Sequence, residues 1–188
     1  FELYLAFSGP DGGPWNRSPR SLYLEYWTRQ FIESRLVRTP GLRVCNVGIG
    51  AGDWDDFLCD LLTGIGSLTS VDIDPEICEM FQYRQQREGH PNPSTVVCAA
   101  VLADTLPAAL FDVVTVIGST VAETGDYDRC LASCVRLLRP GGYLMYMDDF
   151  HWTFAARFEE WVSHRPVSIV ERVDDEIAGG YIFWARRE

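Results

Sequence analysis

The sequence predicts an α/β fold, an open doubly wound sheet with helices on both faces, and three observations carry that reading. Short apolar runs suited to strands buried on both faces alternate with amphipathic helical stretches along the chain. One such run, Val44, Cys45 and Val47, breaks into Gly48-Ile49-Gly50-Ala51-Gly52 and re-emerges as a helix, with Trp54, Phe57, Leu58, Leu61 and Leu62 at helical spacing. The next run ends in an acid, Asp72, 20 positions beyond Gly52. A glycine turn at a helix N-terminus, followed at that separation by an acid, is the arrangement of a nucleoside pocket, with the acid on the ribose hydroxyls.

The turn itself discriminates between nucleotides. A dinucleotide fingerprint needs a third glycine where this chain has Asp53, and a carboxylate there repels a pyrophosphate. The pattern G-x-G-x-G at residues 48–52 resembles the first motif of the class I methyltransferases that use S-adenosylmethionine, a cofactor with a sulfonium and no phosphate. Two later motifs fall in register with it. Phe111-Asp112-Val113-Val114 resembles the F-D-x-V entry to the family's fourth strand, and Leu138-Arg139-Pro140-Gly141-Gly142 its L-x-P-G-G turn into the fifth. The resemblance covers roughly residues 42 to 188. It implies a seven-stranded, mostly parallel sheet with an antiparallel last strand, and an enzyme that leaves S-adenosylhomocysteine as product.

Residues 1–40 read as an N-terminal arm and helix, and 41–188 as the core of a single domain. The first 20 residues hold several Gly and Pro with little periodicity. Ser18-Pro19 suits an N-cap and first helical position, and the helix is expected to run to about Val37. In the resembling family this segment lies over the substrate, which makes Tyr23, Tyr26 and Trp27 candidate lid residues; the alternative is an aromatic stripe packed on the sheet.

The first strand carries Asn46 where the family commonly has an acid, so that position accepts a hydrogen bond without contributing charge. Gly48, Ile49, Gly50 and Gly52 form the turn, and the glycines leave room for a ligand to approach the backbone. Strand two, about 67–71, ends in Asp72-Ile73-Asp74-Pro75. By resemblance Ile73 packs on the adenine ring, while Asp74 caps the helix that follows to about Arg87. After strand three, 95–99, the family's acid for the adenine amino group is missing and the nearest, Asp104, comes late. The backbone near Ala100 and Val101 is then the alternative reader.

Strand four is expected over 111–117, and by resemblance its end, at Gly118, lies beside the transferable methyl. A helix over 126–138 leads to strand five, 143–147, which opens into Asp148-Asp149-Phe150-His151. Ligands bind outside the carboxyl ends of such strands, so His151, Asp148 and Asp149 are candidates to accept or orient a proton. A surface histidine and a helix-capping aspartate are the plain alternatives. Gly118-Ser119-Thr120 lacks the acid that metal-binding, catechol-type members carry, so no metal is expected, and also lacks the acid of a spermidine-synthase-like aminopropyl transferase. A helix over 153–164 and a closing hairpin of strands 167–173 and 181–185 complete the chain.

Composition agrees. The 188 residues, 47% hydrophobic, suffice for one buried core. A net charge of -11 opposes a broad phosphate-binding surface, so a small-molecule substrate is expected rather than nucleic acid. All 16 basic residues are arginine, which reads as genome bias. Six cysteines without a C-x-x-C spacing read as free thiols in a reducing cytoplasm, Cys45 and Cys98 in buried strands and Cys130 and Cys134 packed at i, i+4. No run approaches a membrane span. The first residue is not methionine, which fits a start inside a longer chain. The expected activity is methyl transfer to an O, N or C nucleophile of a small metabolite; an aminopropyl transferase and a non-catalytic binding domain of the same fold are the rivals, and oligomeric state is left open.

Overall fold

Strand order in the sheet is β3-β2-β1-β4-β5-β7-β6, so the chain winds outward from β1 in one direction and then returns to its other side. The computed structural model describes residues 19–118, 120–148 and 152–188. Helix α1 (Pro19–Arg35) precedes β1 (Leu42–Val47), α2 (Asp53–Leu61), β2 (Gly66–Asp72), α3 (Pro75–Glu88) and β3 (Thr95–Cys98). After a 3-10 turn at Val101–Ala103 come β4 (Phe111–Ile117), the single turn α4 (Thr120–Glu123), α5 (Tyr127–Leu137), β5 (Leu138–Asp148), α6 (Trp152–Ser163), β6 (Val167–Asp175) and β7 (Gly180–Arg187). Strands β1 to β5 pair in parallel, and β7 runs antiparallel to both β5 and β6. The order reverses between β1 and β4, which opens a crevice at their carboxyl ends.

Alternation along the central strands divides the core between two faces. Leu42 and Val44 of β1, Val113 of β4 and Met145 and Met147 of β5 pack beneath α1 and α2, with Phe31, Ile32, Leu58 and Leu62. Cys45, Val47, Val114, Val116, Leu144 and Tyr146 face the other way, under α5 and α6. Phe158 of α6 is fully buried there, its ring 4.6 Å from that of Phe183 and 5.2 Å from that of Tyr146. Removing such a side chain costs about 3–5 kcal/mol.

Most boundaries fall within two residues of the expected ones, and two differences have clear causes. Strand β5 begins at Leu138 rather than Tyr143, because Leu138 already pairs with Phe111 before the register shifts. The shift is where Gly142 passes so close to β4 that a Cβ would stand 2.9 Å from the Asp112 carbonyl. The Asp112 carboxylate ties this corner together, accepting from the Arg43 amide at 2.7 Å and pairing with Arg139 at 2.6 Å. Cys98 is the second difference: it is exposed, because β3 is the edge of the sheet. Cys130 and Cys134 are both fully buried, and all six thiols are free. Among the described residues no helix is long and apolar enough to cross a membrane.

Candidate functional site

The glycine turn sits at the crevice, and protein packing dictates two of its glycines. Gly48 (φ 91°) and Gly52 (φ 82°) lie in the left-handed region. A Cβ on Gly48 would collide with the Thr120 side chain of α4, and one on Gly52 would stand 2.6 Å from Phe81 and Arg84 of α3. On the Cβ side both glycines meet the protein itself, so packing against Thr120, Phe81 and Arg84 is a second reason for glycine at these two positions. Gly118, at the end of β4, does face open space.

Asp72 reaches the turn directly. Its Oδ2 accepts from the Ile49 amide at 2.8 Å and from the Gly50 amide at 3.4 Å, and its Oδ1 from the Asp74 amide at 3.0 Å. A carboxylate has about four acceptor positions, so with three amides bound one position, on Oδ1, is left for a ribose hydroxyl. Beside it Ile73 is 71% exposed, an apolar side chain held out from the end of β2. Asp74 caps α3 through the Glu76 amide at 2.8 Å, as its spacing before Pro75 predicts.

The connection after β3 turns Asp104 away from this region. Its carboxylate pairs with Arg136 of α5 at 2.8 Å and accepts from Ser133 at 3.3 Å, while Arg129 donates to the Leu102 carbonyl at 2.8 Å. The 3-10 turn is thereby anchored on α5, with half-buried Ala100 and Val101 at its start.

Beneath the turn lies a buried polar network. Asn46, 1% exposed, donates through Nδ2 to the Gly48 carbonyl and to Asp55 Oδ2, each at 2.9 Å, and accepts at Oδ1 from Thr115 at 2.8 Å. Direct contact with a ligand is thus not what this side chain does; it fixes the turn from below. Asp55 Oδ1 meets Ser70 Oγ at 2.5 Å, and Ser70 Oγ meets Ser94 Oγ at 2.6 Å. Burial pushes the Asp55 carboxyl up to about 7, against the hydrogen bonds from Ser70 and Asn46 that favour its charged form. Asp55 went unnoticed in the sequence, yet it falls on the stripe 55-58-59-62 that faces the sheet, a signal that marks it as buried. Asp56 is paired with Arg84 at 2.5 Å, so the exposed Asp53 is the acid that the first turn of α2 presents at the glycine turn, which suits a cationic ligand and disfavours a pyrophosphate.

A cavity of about 220 Å³ opens beside the turn, between α1, the start of α2 and the carboxyl ends of β4 and β5. Leu24, Thr28, Trp54, Ile117 and Met147 line it, with Glu25, Arg29 and Asp53 also contributing. Trp54 is held by its indole N–H on Thr115 at 3.2 Å, and Arg29 pairs with Glu25 and lies 5.1 Å from the ring of Phe57. The helix α1 does cover the crevice, but with a different face from the aromatic one. Tyr23 donates to Asp175 of the closing hairpin at 2.9 Å, Trp27 packs against the core, and Tyr26 is exposed. Arg35 adds a bidentate pair with Glu171 of β6, both contacts at 2.6 Å.

Of the acids after β5, Asp148 is 2% exposed and accepts from Tyr146 at 3.2 Å, with Tyr181 adjoining Tyr146 at 3.3 Å. Alternation puts it on the face opposite Met147, so the structure does not bring it to the cavity. Burial pushes the phenols of Tyr127, Tyr146 and Tyr181 up, and the Asp148 charge adds to it. Asp149, His151 and Ser119 lie outside the described residues.

The residues present fit an adenosyl sulfonium compound: an acid for the ribose, an exposed apolar side chain for the base, open space at Gly118 and the Asp53 carboxylate at the cavity for positive sulfur. Comparison with known proteins agrees. A family model described as a methyltransferase domain matches residues 44–142. The ubiquinone/menaquinone biosynthesis C-methyltransferase UbiE of Shewanella halifaxensis (strain HAW-EB4) is 29% identical over 122 residues, 65% of this chain and 48% of that protein. The chain spans about half the length of the curated relatives it matches. Among solved structures, magnesium protoporphyrin IX methyltransferase (ChlM) from Synechocystis PCC 6803 with bound SAM is similar with a TM-score of 0.72 at 16% identity, covering 100% of this chain and 96% of that one. The cyclase SpnF is similar with a TM-score of 0.73 at 15% identity, covering 86% and 80%. At such identities these structures speak for the fold alone, and one fold serves several chemistries.

Proposed function

Because the chain belongs to the methyltransferase-domain family, we propose that it transfers the methyl group of S-adenosylmethionine to a nucleophile on a small, largely apolar metabolite. The observation that carries this reading is the pairing of Asp72 with the glycine turn, 2.8 Å from the Ile49 amide, with a largely apolar cavity nearby at the carboxyl ends of β4 and β5. In this reading Asp72 accepts from the ribose hydroxyls, the second taking the place of the long Gly50 contact at 3.4 Å, Ile73 lies on the adenine, and the backbone at Ala100 and Val101 reads its edge. Gly48, Ile49, Gly50 and Gly52 supply the turn, Asn46 holds that turn from beneath, and Gly118 leaves room near the methyl.

Bound there, S-adenosylmethionine supplies an electrophilic methyl on a sulfonium whose charge disappears as transfer proceeds. The chain's part is alignment and exclusion of water: Leu24, Trp54, Ile117 and Met147 hold the acceptor in a dry wall, and α1 closes over it. A base is needed only for a protonated nucleophile. His151, with Asp149 nearby in sequence, is the proposed proton acceptor on the connection from β5 to α6; Asp148, turned toward the tyrosines, is not. The apolar lining and the charge of -11 favour a small molecule over nucleic acid, and six free thiols suit a cytoplasmic setting.

Calorimetry with S-adenosylmethionine and, separately, with NAD tests the reading. Heat with the first and none with the second is expected; the reverse would point to a dehydrogenase, and silence with both to a domain that has lost its cofactor. Turnover is then sought by following S-adenosylhomocysteine over a panel of aromatic and aliphatic acceptors.

A further inference from the structure

We propose that Cys78 and Cys98 form an oxidisable dithiol beside the adenosine end of the pocket, which a small-molecule disulfide closes into a protein disulfide that weakens cofactor binding. The proposal rests on the reading of Asp72 and Ile73 as adenosine contacts.

The two sulfurs straddle that segment. Cys98 ends the edge strand β3, is exposed, and is the register partner of Asp72. Cys78 stands in the first turns of α3 and is 4% exposed. The Cys78 thiol donates to the Asp72 carbonyl at 3.8 Å and the Cys98 thiol to the Ile73 carbonyl at 3.9 Å, so the two sulfurs sit on adjacent carbonyls of one two-residue segment. The same Asp72 carbonyl accepts the Ala99 amide at 2.8 Å, so the backbone on both sides of Ile73 is wired to this pair. No other cysteine shares this exposure: Cys45, Cys59, Cys130 and Cys134 are fully buried.

Exposure assigns the roles. Cys98 meets solvent and attacks first, while burial, reinforced by the Cys98 thiol and the Asp72 charge, pushes the Cys78 thiol up to about 12 and keeps it protonated until it is called on. With glutathione disulfide, Cys98 loses its proton to water and its thiolate attacks one sulfur, breaking the S–S bond and releasing one glutathione thiolate. Cys78 then loses its proton to water and attacks the Cys98 sulfur of the mixed disulfide, releasing the second. Two protein thiols are oxidised and one disulfide is reduced to two thiols. The new bond draws the sulfurs to about 2.05 Å and removes both S–H donors from the Asp72 and Ile73 carbonyls. The end of β3 and the first turn of α3 are pulled together around the residues that hold the nucleoside.

The test uses the whole chain, reduced and then equilibrated with glutathione disulfide. Peptide mapping is expected to show a Cys78–Cys98 link, and calorimetry a loss of S-adenosylmethionine affinity of about fivefold or more that dithiothreitol reverses. Cys98→Ser, a surface change, is expected to bind like the reduced protein and to ignore the oxidant, whereas Cys78→Ser is expected to stop at a glutathione adduct on Cys98. Absence of the link, or a linked protein with unchanged affinity, would overturn the proposal. Failure of the reduced protein to bind S-adenosylmethionine would instead overturn the functional reading, and the mapping would still report on the dithiol.

Discussion

The carboxylate of Asp72, at the end of β2, accepts the amide of Ile49 at 2.8 Å, so one side chain both braces the glycine turn and faces the crevice. Asp72→Ala is expected to weaken S-adenosylmethionine binding by about 1–3 kcal/mol, roughly 5- to 150-fold, through the loss of acceptors for the ribose and the turn amides. Asp72→Asn, which keeps one acceptor oxygen, is expected to fall between. Calorimetry decides, and an unchanged affinity in both would mean the ribose is held elsewhere.

At Gly52 the constraint is packing as well as backbone. Gly52→Ala sets a Cβ against Phe81, which is 1% exposed and has no room to retreat, at a positive φ. Denaturant unfolding should show a loss of about 1–3 kcal/mol. Gly118→Ala, with a similar φ but open space, is expected to lose less; equal losses would mean strain alone decides both.

Asp55 predicts a pH dependence with a definite sign. Its carboxyl is raised to about 7 in the folded protein, while in the unfolded chain it titrates near 3.8. Between these values the folded state binds one more proton, so Asp55 contributes stability that is full below about pH 4 and is lost as pH rises through 7. Ser70, which donates to Asp55, also meets Ser94 at 2.6 Å, and Ser94 donates to the Leu68 carbonyl. In Asp55→Asn the stability difference from the natural chain should shrink as pH rises from 4.5 to 7.5, by an amount on the order of 2–4 kcal/mol. Urea midpoints across that range measure it; a constant difference would show the carboxyl to be ionised throughout.

In the proposed reading the cavity beside the turn takes the acceptor and not the cofactor. Met147→Trp fills space between β5 and α1 without touching Asp72 or the turn, and is expected to lower turnover about tenfold or more while S-adenosylmethionine affinity stays within twofold. Parallel calorimetry and turnover assays check it. A matched fall in both would mean that the cavity houses the cofactor's own methionine end.

Local chemistry wrote much of this protein into its sequence. The glycine turn, Asp72 at the next strand's end and Asp74 before Pro75 are legible because each is a short-range signal: periodicity, a capping geometry or a fixed separation. What the sequence could not show depends on which distant groups share a face. Asn46 looks like a ligand contact until the Gly48 carbonyl and Asp55 are seen to take both its N–H groups and Thr115 to donate to its oxygen. The aromatic face of α1 looks like a lid until the hairpin captures Tyr23 and leaves Leu24 and Thr28 over the cavity. Cys98 reads as a buried strand residue, and only the place of β3 at the sheet edge exposes it.

The sequence by itself therefore determined the class of fold and the pairing of the glycine turn with the acid at the next strand's end, since a strand, a turn and a cap are specified by residues a few positions apart. The tertiary structure alone decided which way Asp148 points, what lines the cavity and which two thiols meet. Those outcomes follow from strand alternation and from the order of strands in the sheet, and both are properties of the assembled chain.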